Sequence, residues 1–180
     1  MSKLSVYADH NSQDLVLETE DYQQIKTQLN ELGIRFERWT ASTAITKDMQ
    51  EADILAAYQF DIQRLKDEGG YIVVDAVSMH PDHPQKAEFR KKFLNEHTHS
   101  EDEVRFFVAG QGLFCLHINQ HIYQVLCCEN DLISVPKGTA HWFDMGSQPS
   151  FTALRLFNDP AGWVANFTGE DIASHFPLLP

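Results

Sequence analysis

The chain has 180 residues, 43% of them apolar and 22% charged, which is enough for one domain that buries roughly 70% of its unfolded surface. The net charge of −12 and the isoelectric point near 5.0 argue against nucleic acid and anionic membrane as partners, because both require clustered Lys and Arg. Residues 1–11 lack a basic start followed by an apolar run, and no stretch approaches the ~18 apolar residues of a membrane span. We therefore expect a cytoplasmic protein with no nucleic-acid or membrane partner.

The three cysteines, Cys115, Cys127 and Cys128, are odd in number and two of them are adjacent, so they do not form the pattern of a disulfide framework. We interpret them as reduced residues of strands. Because no CxxC pair exists, a structural zinc ribbon is not predicted either.

Three helices are predicted in the first half of the chain from apolar residues that recur on one face. Asp21 favours the start of the first helix and Gly33 its end, Gly69 and Gly70 end the second, and Pro84 precedes a short third. The apolar positions are Ile25, Leu29 and Leu32 in the first helix, Ile54, Tyr58, Ile62 and Leu65 in the second, and Phe89 and Phe93 in the third.

Short β-rich runs replace this pattern from about Val104 onwards. The runs are VRFFV, LFCLHI, HIYQVL, DLISV and FTALRLF, and Gly, Asn, Asp or Pro residues separate them. Asn119 and Gln120 are predicted to form the turn of a hairpin between the second and third runs. Several short strands at close spacing indicate a barrel or a sandwich.

The segment EHTHSEDEVRFFVAGQG carries the clearest chemical signal. Two histidines lie two residues apart in it, and a glutamate follows six residues after the first histidine. Because side chains alternate between the two faces of a strand, His97, His99 and Glu103 can share one face if the segment is largely extended. The same alternation places Arg105 and Phe107 on the face of Glu103, pointing into the barrel.

A second segment, NDLISVPKGTAHWFDMG, contains Pro136 and Gly138, which predict a turn that ends a strand and aims His141 inward from the next one. Three imidazoles and one carboxylate suit Fe(II), Ni(II), Mn(II) or Zn(II), and an octahedral ion would keep two adjacent positions for a bidentate substrate. The four residues therefore predict a catalytic metal site. The other histidines, at positions 10, 80, 83, 117, 121 and 175, show no such pattern and receive no role.

Arg105 has two interpretations. A buried guanidinium requires an anionic partner, which can be a carboxylate in a structural ion pair or an anionic, metal-chelating substrate that its fork of donors recognises. Glu96 and Asp102, next to ligands in the sequence, are candidates for orienting those ligands, with a solvated acidic loop as the alternative. Three nearby aromatic residues are interpreted as core residues more readily than as pocket walls: Phe107, Trp142 and Phe143.

These residues resemble the two metal motifs of the cupin superfamily. HTHSEDE, with Gly110 after six further residues, is similar to the first motif, and PKGTAH is similar to the second. The glycines expected before the two motifs are replaced by Lys91 and Asn130. The resemblance implies a β-barrel of the jelly-roll type.

Within this superfamily, the strings FLNEHTHSEDEVRFFVAGQGLFCLH, NDLISVPKGTAHWFDMG, GIRFERW and FTALRLF resemble the acireductone dioxygenase family of methionine salvage, over most of the chain. The resemblance implies one Fe(II) or Ni(II) ion held by His97, His99, Glu103 and His141, with Arg105 facing a substrate dianion. The implied substrates are O2 and the enediol 1,2-dihydroxy-3-keto-5-methylthiopentene. In that family the iron form gives formate and 4-methylthio-2-oxobutanoate, and the nickel form gives formate, 3-methylthiopropionate and carbon monoxide.

From these observations we expect a mainly β, cupin-type barrel with helices at its N-terminal side, formed by one domain over residues 1–180. Residues 1–95 would form a helical front with some strands, 96–160 the metal-binding core of the barrel, and 161–180 a C-terminal segment. The family resemblance also leads us to expect a monomer. Two alternatives stay open: a metal-dependent cupin isomerase or epimerase of a small sugar or keto acid, which would consume no oxygen, and a noncatalytic module that binds a small ligand.

Overall fold

The computed structural model describes residues 1–159, 161 and 164–180, and strands predominate in it. The strands are β1 (Lys3–Ala8), β2 (Asn11–Thr19), β3 (Arg35–Arg38), β4 (Val73–Met79), β5 (His97–Thr98), β6 (Glu103–Ile118), β7 (His121–Cys128), β8 (Asp131–Val135), β9 (Ala140–Asp144), β10 (Phe151–Phe157) and β11 (Asn166–Phe167). The helices are α1 (Tyr22–Glu31), α2 (Glu51–Ala57), α3 (Gln59–Gly69) and α4 (Lys86–Phe93), and a 3-10 helix (Ile172–His175) follows near the C-terminus. Among the described residues, no helix has the length and apolar character needed to cross a membrane.

The strands form two antiparallel sheets that share β6. One sheet has the order β11-β5-β9-β6-β7-β1-β2, and β6 takes part in it through its second half. In the other sheet, the first half of β6 lies between β10 and β8, with β4 beyond β10 and β3 beyond β8. Because β6 passes from one sheet to the other, the two sheets enclose a common apolar interior. The expected mainly β fold is confirmed.

Gly110 marks the point at which β6 changes sheets. Its φ is 76°, and a Cβ atom there would lie 2.0 Å from the carbonyl oxygen of Ser150, so only glycine fits this close approach. The prediction of separate strands for VRFFV and LFCLHI is wrong, because the hydrogen-bonded ladder continues through the bend.

The ends of α1 and the turn between β6 and β7 have the structure that the sequence predicts. Asp21 caps α1 by accepting a hydrogen bond from the amide of Gln24 at 2.8 Å, and Gly33 follows the helix with a φ of 78°. Asn119 and Gln120 join β6 to β7 with φ values of 51° and 62°, the left-handed conformation of a two-residue hairpin turn. Helix α1 and the predicted hairpin are confirmed.

The helical pattern from Ile54 to Leu65 does not form one helix, so this prediction is wrong. Helix α2 ends and α3 begins at Tyr58, whose φ of −115° and ψ of 14° lie outside the helical region. The Tyr58 ring packs edge-on against Phe106 of β6, with ring centroids 4.6 Å apart. We attribute the break to this contact, since tertiary packing overrides local propensity. The third predicted helix is present as α4.

Three apolar clusters hold these layers together. The first lies between the sheets and combines Phe107 and Phe114 of β6 with the buried face of α1. The second joins α2 and α3 to the outer face of the sheet that contains β10. The third packs Phe176 of the C-terminal segment against Trp142 on the outer face of the other sheet. Trp142 is therefore a core residue, as predicted.

Candidate metal centre

The four side chains proposed as metal ligands from the sequence meet inside the barrel. His97 lies in β5, His99 in the loop after it, Glu103 at the start of β6 and His141 in β9. One potential ligand atom from each residue lies within 4.8 Å of those of the other three. Strands β5 and β9 are antiparallel neighbours that place His97 directly opposite His141. The fold thus brings residues from three strands and one loop to one point.

Backbone carbonyl groups orient all three imidazole rings. The Nδ1 atoms of His97, His99 and His141 lie 2.6, 3.2 and 2.8 Å from the carbonyl oxygens of Asn95, Val164 and Thr139. Because Nδ1 must donate to a carbonyl group, Nε2 is the atom of each ring that can offer a lone pair to a metal when the ring is neutral. Three such imidazoles beside a carboxylate are a donor set for a divalent transition metal, so the residues present fit one.

Glu103 carries the negative charge of this group. Its Oε2 lies 2.7 Å from Nε2 of His141 and 3.2 Å from Nε2 of His99, and its Oε1 lies 3.0 Å from Nη2 of Arg105. Burial raises the pKa of Glu103, but the contacts with Arg105, His141 and His99 outweigh it and hold this pKa well below its usual range. For His97, burial has the opposite effect and lowers the pKa of the imidazole to about 4. At neutral pH the group therefore offers a charged carboxylate and, in His97, a neutral imidazole.

The turn between β8 and β9 has the predicted form. Strand β8 ends just before Pro136, and β9 begins soon after Gly138, which has a φ of 79°. The amide of Gly138 donates to the carbonyl of His99 at 2.9 Å, which joins the two sequence motifs. Asn130, which replaces a motif glycine, has a φ of 75°. It therefore adopts the left-handed conformation that asparagine tolerates better than most residues.

Glu96 and Asp102 make specific contacts. Asp102 Oδ2 accepts a hydrogen bond from the Tyr71 hydroxyl at 2.9 Å, and its Oδ1 accepts one from the Lys137 amide at 3.0 Å. It thereby ties the loop of the first motif to the turn of the second. Glu96 is 3% exposed, and its carboxylate lies 2.8 Å from Nδ1 of His117.

A cavity of about 710 Å³ opens over the candidate metal centre. His97, His99 and Glu103 line one end of it, together with Arg105 and Arg155. This end therefore combines potential metal ligands with two cationic side chains, which is an arrangement suited to an anionic chelating ligand.

The two arginines are cross-strand neighbours, because β10 pairs with β6 so that Arg155 lies opposite Arg105. Burial lowers the pKa of Arg105 to about 10, so its guanidinium keeps its charge at neutral pH. Arg155 donates through Nε to Oδ1 of Asp75 in β4 at 2.7 Å. Arg105 pairs with Glu103, as the interpretation as an ion pair requires. It also lines the cavity, and its recognition of an anionic substrate stays a prediction.

Beyond the two arginines the cavity is aromatic, because Phe107 follows Arg105 along β6 and Phe151 lies opposite Gly110. Phe93 from α4 and Phe143 from β9 also line it. The Phe143 ring lies 6.0 Å from that of Phe151 and 6.5 Å from that of Phe93, between centroids. A Cβ atom on Gly112 would lie 2.5 Å from the Phe143 ring, so the glycine provides the space for it. Phe107 and Phe143 therefore line the cavity as well as packing in the core, so the pocket-wall alternative applies to them together with the core interpretation.

Sequence analysis missed several residues of the cavity: Phe89, Lys92, Phe93, Phe151, Ala153, Arg155 and Phe167. A signal existed for three of them, because strand alternation in FTALRLF places Phe151, Ala153 and Arg155 on one face. The others come from α4 and β11, which only the fold brings to the motifs.

Comparison with known proteins agrees with this geometry. Residues 3–165 match the model of the ARD/ARD' family. The chain is 60% identical over 181 residues to an acireductone dioxygenase from Synechococcus sp., with 100% of each chain covered. It is 58% identical over 179 residues to an acireductone dioxygenase from Pseudomonas aeruginosa, with 99% of each covered. A solved acireductone dioxygenase from Bacillus anthracis, with a cadmium ion in its active centre, is 27% identical with a TM-score of 0.81 and covers 93% of this chain and 98% of its own.

These similarities confirm the family resemblance and the cupin-type fold. They also confirm that the protein is a metal-dependent dioxygenase that acts on a small molecule and uses a single Fe or Ni ion as its cofactor. They do not favour the isomerase alternative. The match to the family model and the identity of 58–60% to acireductone dioxygenases over the full length of the chain show that it belongs to the ARD/ARD' family of acireductone dioxygenases.

Proposed function

We propose that the chain binds one Fe(II) or Ni(II) ion through His97, His99, Glu103 and His141 and cleaves 1,2-dihydroxy-3-keto-5-methylthiopentene with O2. One observation carries the proposal: four potential ligand atoms converge within 4.8 Å at the charged end of a cavity whose other end is aromatic. Imidazole and carboxylate ligands suit both metals. The cavity suits a molecule with an oxygen-rich head and an apolar tail.

The polarity of the cavity determines how the substrate lies in it. Arg105 and Arg155 offer guanidinium donors beside the imidazoles, where they would bind the oxygen atoms of an enediolate. Phe143 and Phe151 line the opposite end, and a thioether sulfur packs favourably against aromatic rings. The head therefore faces the metal ligands and the methylthio tail faces the phenylalanines.

An enediol dianion is electron-rich enough to react with O2, so the main tasks of the protein are orientation and charge stabilisation. The bound ion supplies a positively charged template for the substrate oxygens. Arg105 stabilises the negative charge of the substrate head, and the aromatic walls hold the tail. We expect formate and 4-methylthio-2-oxobutanoate from the iron form, and formate, 3-methylthiopropionate and carbon monoxide from the nickel form.

The experiment is O2 uptake with chemically prepared acireductone, using apoprotein reloaded separately with Fe(II) and Ni(II). Products are identified for each metal, and metal content is measured on the same samples. Uptake with different products for the two metals supports the proposal. Full loading without uptake in either form would refute the dioxygenase activity and leave the isomerase alternative to be tested.

We also propose that residues 1–180 act as one cupin domain, that the chain is a monomer and that it works in the cytoplasm. The candidate metal centre is supplied entirely by one chain, and the cysteines are free, as a reducing compartment would leave them. Light scattering after size exclusion should give a mass near 20.6 kDa, and twice that mass would contradict the monomer.

A further inference from the structure

His117 connects separate parts of the chain on the outer face of the barrel. It follows Leu116, which belongs to the interior cluster, so strand alternation directs His117 outward. Its Nδ1 lies 2.8 Å from Oε2 of Glu96, and its Nε2 lies 3.2 Å from Oδ2 of Asp9. Glu96 immediately precedes the candidate ligand His97 and is 3% exposed. A carboxylate so deeply buried requires hydrogen-bond donors, and His117 is one of them.

Glu96 in turn holds Thr168. Its Oε1 accepts a hydrogen bond from the Thr168 hydroxyl at 2.9 Å, and its carbonyl oxygen accepts one from the Thr168 amide at 3.1 Å. Thr168 directly follows β11, a strand of two residues that are both exposed. Because β11 buries little apolar surface of its own, its position depends on hydrogen bonds such as these.

The segment 164–168 lies directly against two candidate ligands. Phe167 pairs with His97 across β11 and β5, and their ring centroids are 5.9 Å apart. The carbonyl oxygen of Val164 lies 3.2 Å from Nδ1 of His99 and so orients that ring. A displacement of this segment would therefore alter the orientation of the rings that hold the metal.

We propose that His117 is a positioning residue of the metal centre. By donating to Glu96 it holds the carboxylate that binds Thr168, and through Thr168 it holds the segment 164–168 against His97. The inference rests on the proposed metal ligands and adds a residue that touches neither substrate nor metal. Removing a group that orients a ligand typically lowers metal affinity about 10- to 100-fold.

Two substitutions separate the two contacts of His117. In His117→Asn the amide nitrogen takes approximately the place of Nδ1 and can still donate to Glu96. In His117→Gln the longer amide takes approximately the place of Nε2 and reaches Asp9 instead. The measurements are the Ni(II) dissociation constant, by competition with a chelator, and hydrogen exchange of the amides of residues 164–170. His121→Gln, on the other strand of the same hairpin, is the matched control.

We expect His117→Gln to raise the Ni(II) dissociation constant about 10-fold or more and to accelerate exchange in 164–170, while His117→Asn stays within about threefold of the wild type. Wild-type values for His117→Gln would overturn the proposal. Equal losses in both variants would also overturn it, because they would indicate general damage to the strand.

If the His117 variants fold poorly, two substitutions of Thr168 test the same connection. Thr168→Val should show the same losses in Ni(II) affinity and exchange protection, and Thr168→Ser should restore both values. No difference between these two variants would refute the role of His117.

This result is separable from the proposed function. If the wild-type protein binds both metals but consumes no O2 with acireductone in either form, the dioxygenase proposal fails. The Ni(II) affinities and exchange rates still decide the role of His117. If the wild-type protein binds neither Ni(II) nor Fe(II), both proposals are overturned.

Discussion

Glu103 Oε1 and Arg105 Nη2 lie 3.0 Å apart, on side chains two residues apart in one strand. The other oxygen of the same carboxylate contacts His99 and His141. Arg105 therefore reaches the candidate metal centre through one of its ligands and also lines the cavity above it. Its charge stabilises the carboxylate and, in the proposed function, also faces an anionic substrate.

Arg105→Ala should leave metal content near that of the wild type, because all four ligands remain. It should lower kcat/KM by about a hundredfold or more, since a preorganised charge partner of the substrate is lost. Elemental analysis and O2-uptake kinetics check the two parts. Arg105→Lys keeps the charge but lacks the fork of donors, so its kcat/KM should lie between those of the wild type and the alanine variant. Kinetics like those of the wild type in the alanine variant would make Arg105 a structural residue.

His141→Ala should sharply weaken binding of Fe(II) and Ni(II), because it removes the only candidate ligand from the second motif. Metal content after dialysis against chelator-free buffer is the measurement. His175→Ala, at an exposed position of the 3-10 helix, is the control and should keep its metal. Full occupancy of the His141 variant would show that the proposed ligand set is wrong.

Gly112→Ala should reduce the space for the substrate tail. The added Cβ would lie 2.5 Å from the Phe143 ring, so the ring must move, and the cavity is the open space beside it. We expect kcat/KM to fall about 10-fold or more for the full substrate and less for an analogue with a shorter tail. Adding Phe143→Leu should recover part of the loss. The same loss for both substrates would contradict an effect on the tail.

Arg90→Met should destabilise the fold strongly. Arg90 forms two hydrogen bonds with Asp144, at 2.7 and 3.0 Å, and Asp144 is fully buried. Removing the arginine leaves a buried charge without its cation, which costs about 3 kcal/mol or more of unfolding free energy. Urea denaturation measures this loss. Arg64→Met, which breaks the more exposed pairs of Arg64 with Glu37, Asp61 and Glu68, should cost clearly less, and equal costs would contradict the argument.

Stability should fall at alkaline pH because of two buried thiols. All three cysteines are free, as predicted, and Cys115 and Cys127 are buried. Burial raises the pKa of both thiols, so above the unfolded thiol pKa of about 8.5 the unfolded chain releases protons that the folded chain retains. Unfolding free energy should then decrease by up to about 1.4 kcal/mol per pH unit for each thiol. Urea denaturation at several pH values measures this dependence. In a Cys115→Ala, Cys127→Ala variant the unfolding free energy should fall less steeply with pH above about 8.5. The same dependence in the variant and the wild type would show that the two thiols are not its cause.

The candidate ligands were accessible from the sequence because each of the two motifs presents its ligands by short-range geometry. The spacing in HTHSEDE brings His97, His99 and Glu103 close together within a few residues, and the turn at Gly138 directs His141 towards them. Strand alternation and turn preferences act over such distances. Resemblance to a known family then supplied the substrate and the metals.

Long-range pairing decided the rest. Arg155 enters the cavity only because β10 pairs with β6 in a register that sets it opposite Arg105. VRFFV and LFCLHI form one strand because Gly110 lets the chain cross between the sheets, and Tyr58 divides a helix because its ring packs against β6. None of these contacts lies within a local stretch of sequence.

By itself the sequence determined the candidate ligands, the turns that present them and the mainly β fold. Only the tertiary structure decided that Arg155 and the phenylalanines share a cavity with those ligands and that His117 contacts Glu96 beside them. The physical reason is that the register between distant strands is set by burial of whole sheet faces, a sum over many residues that no short motif contains.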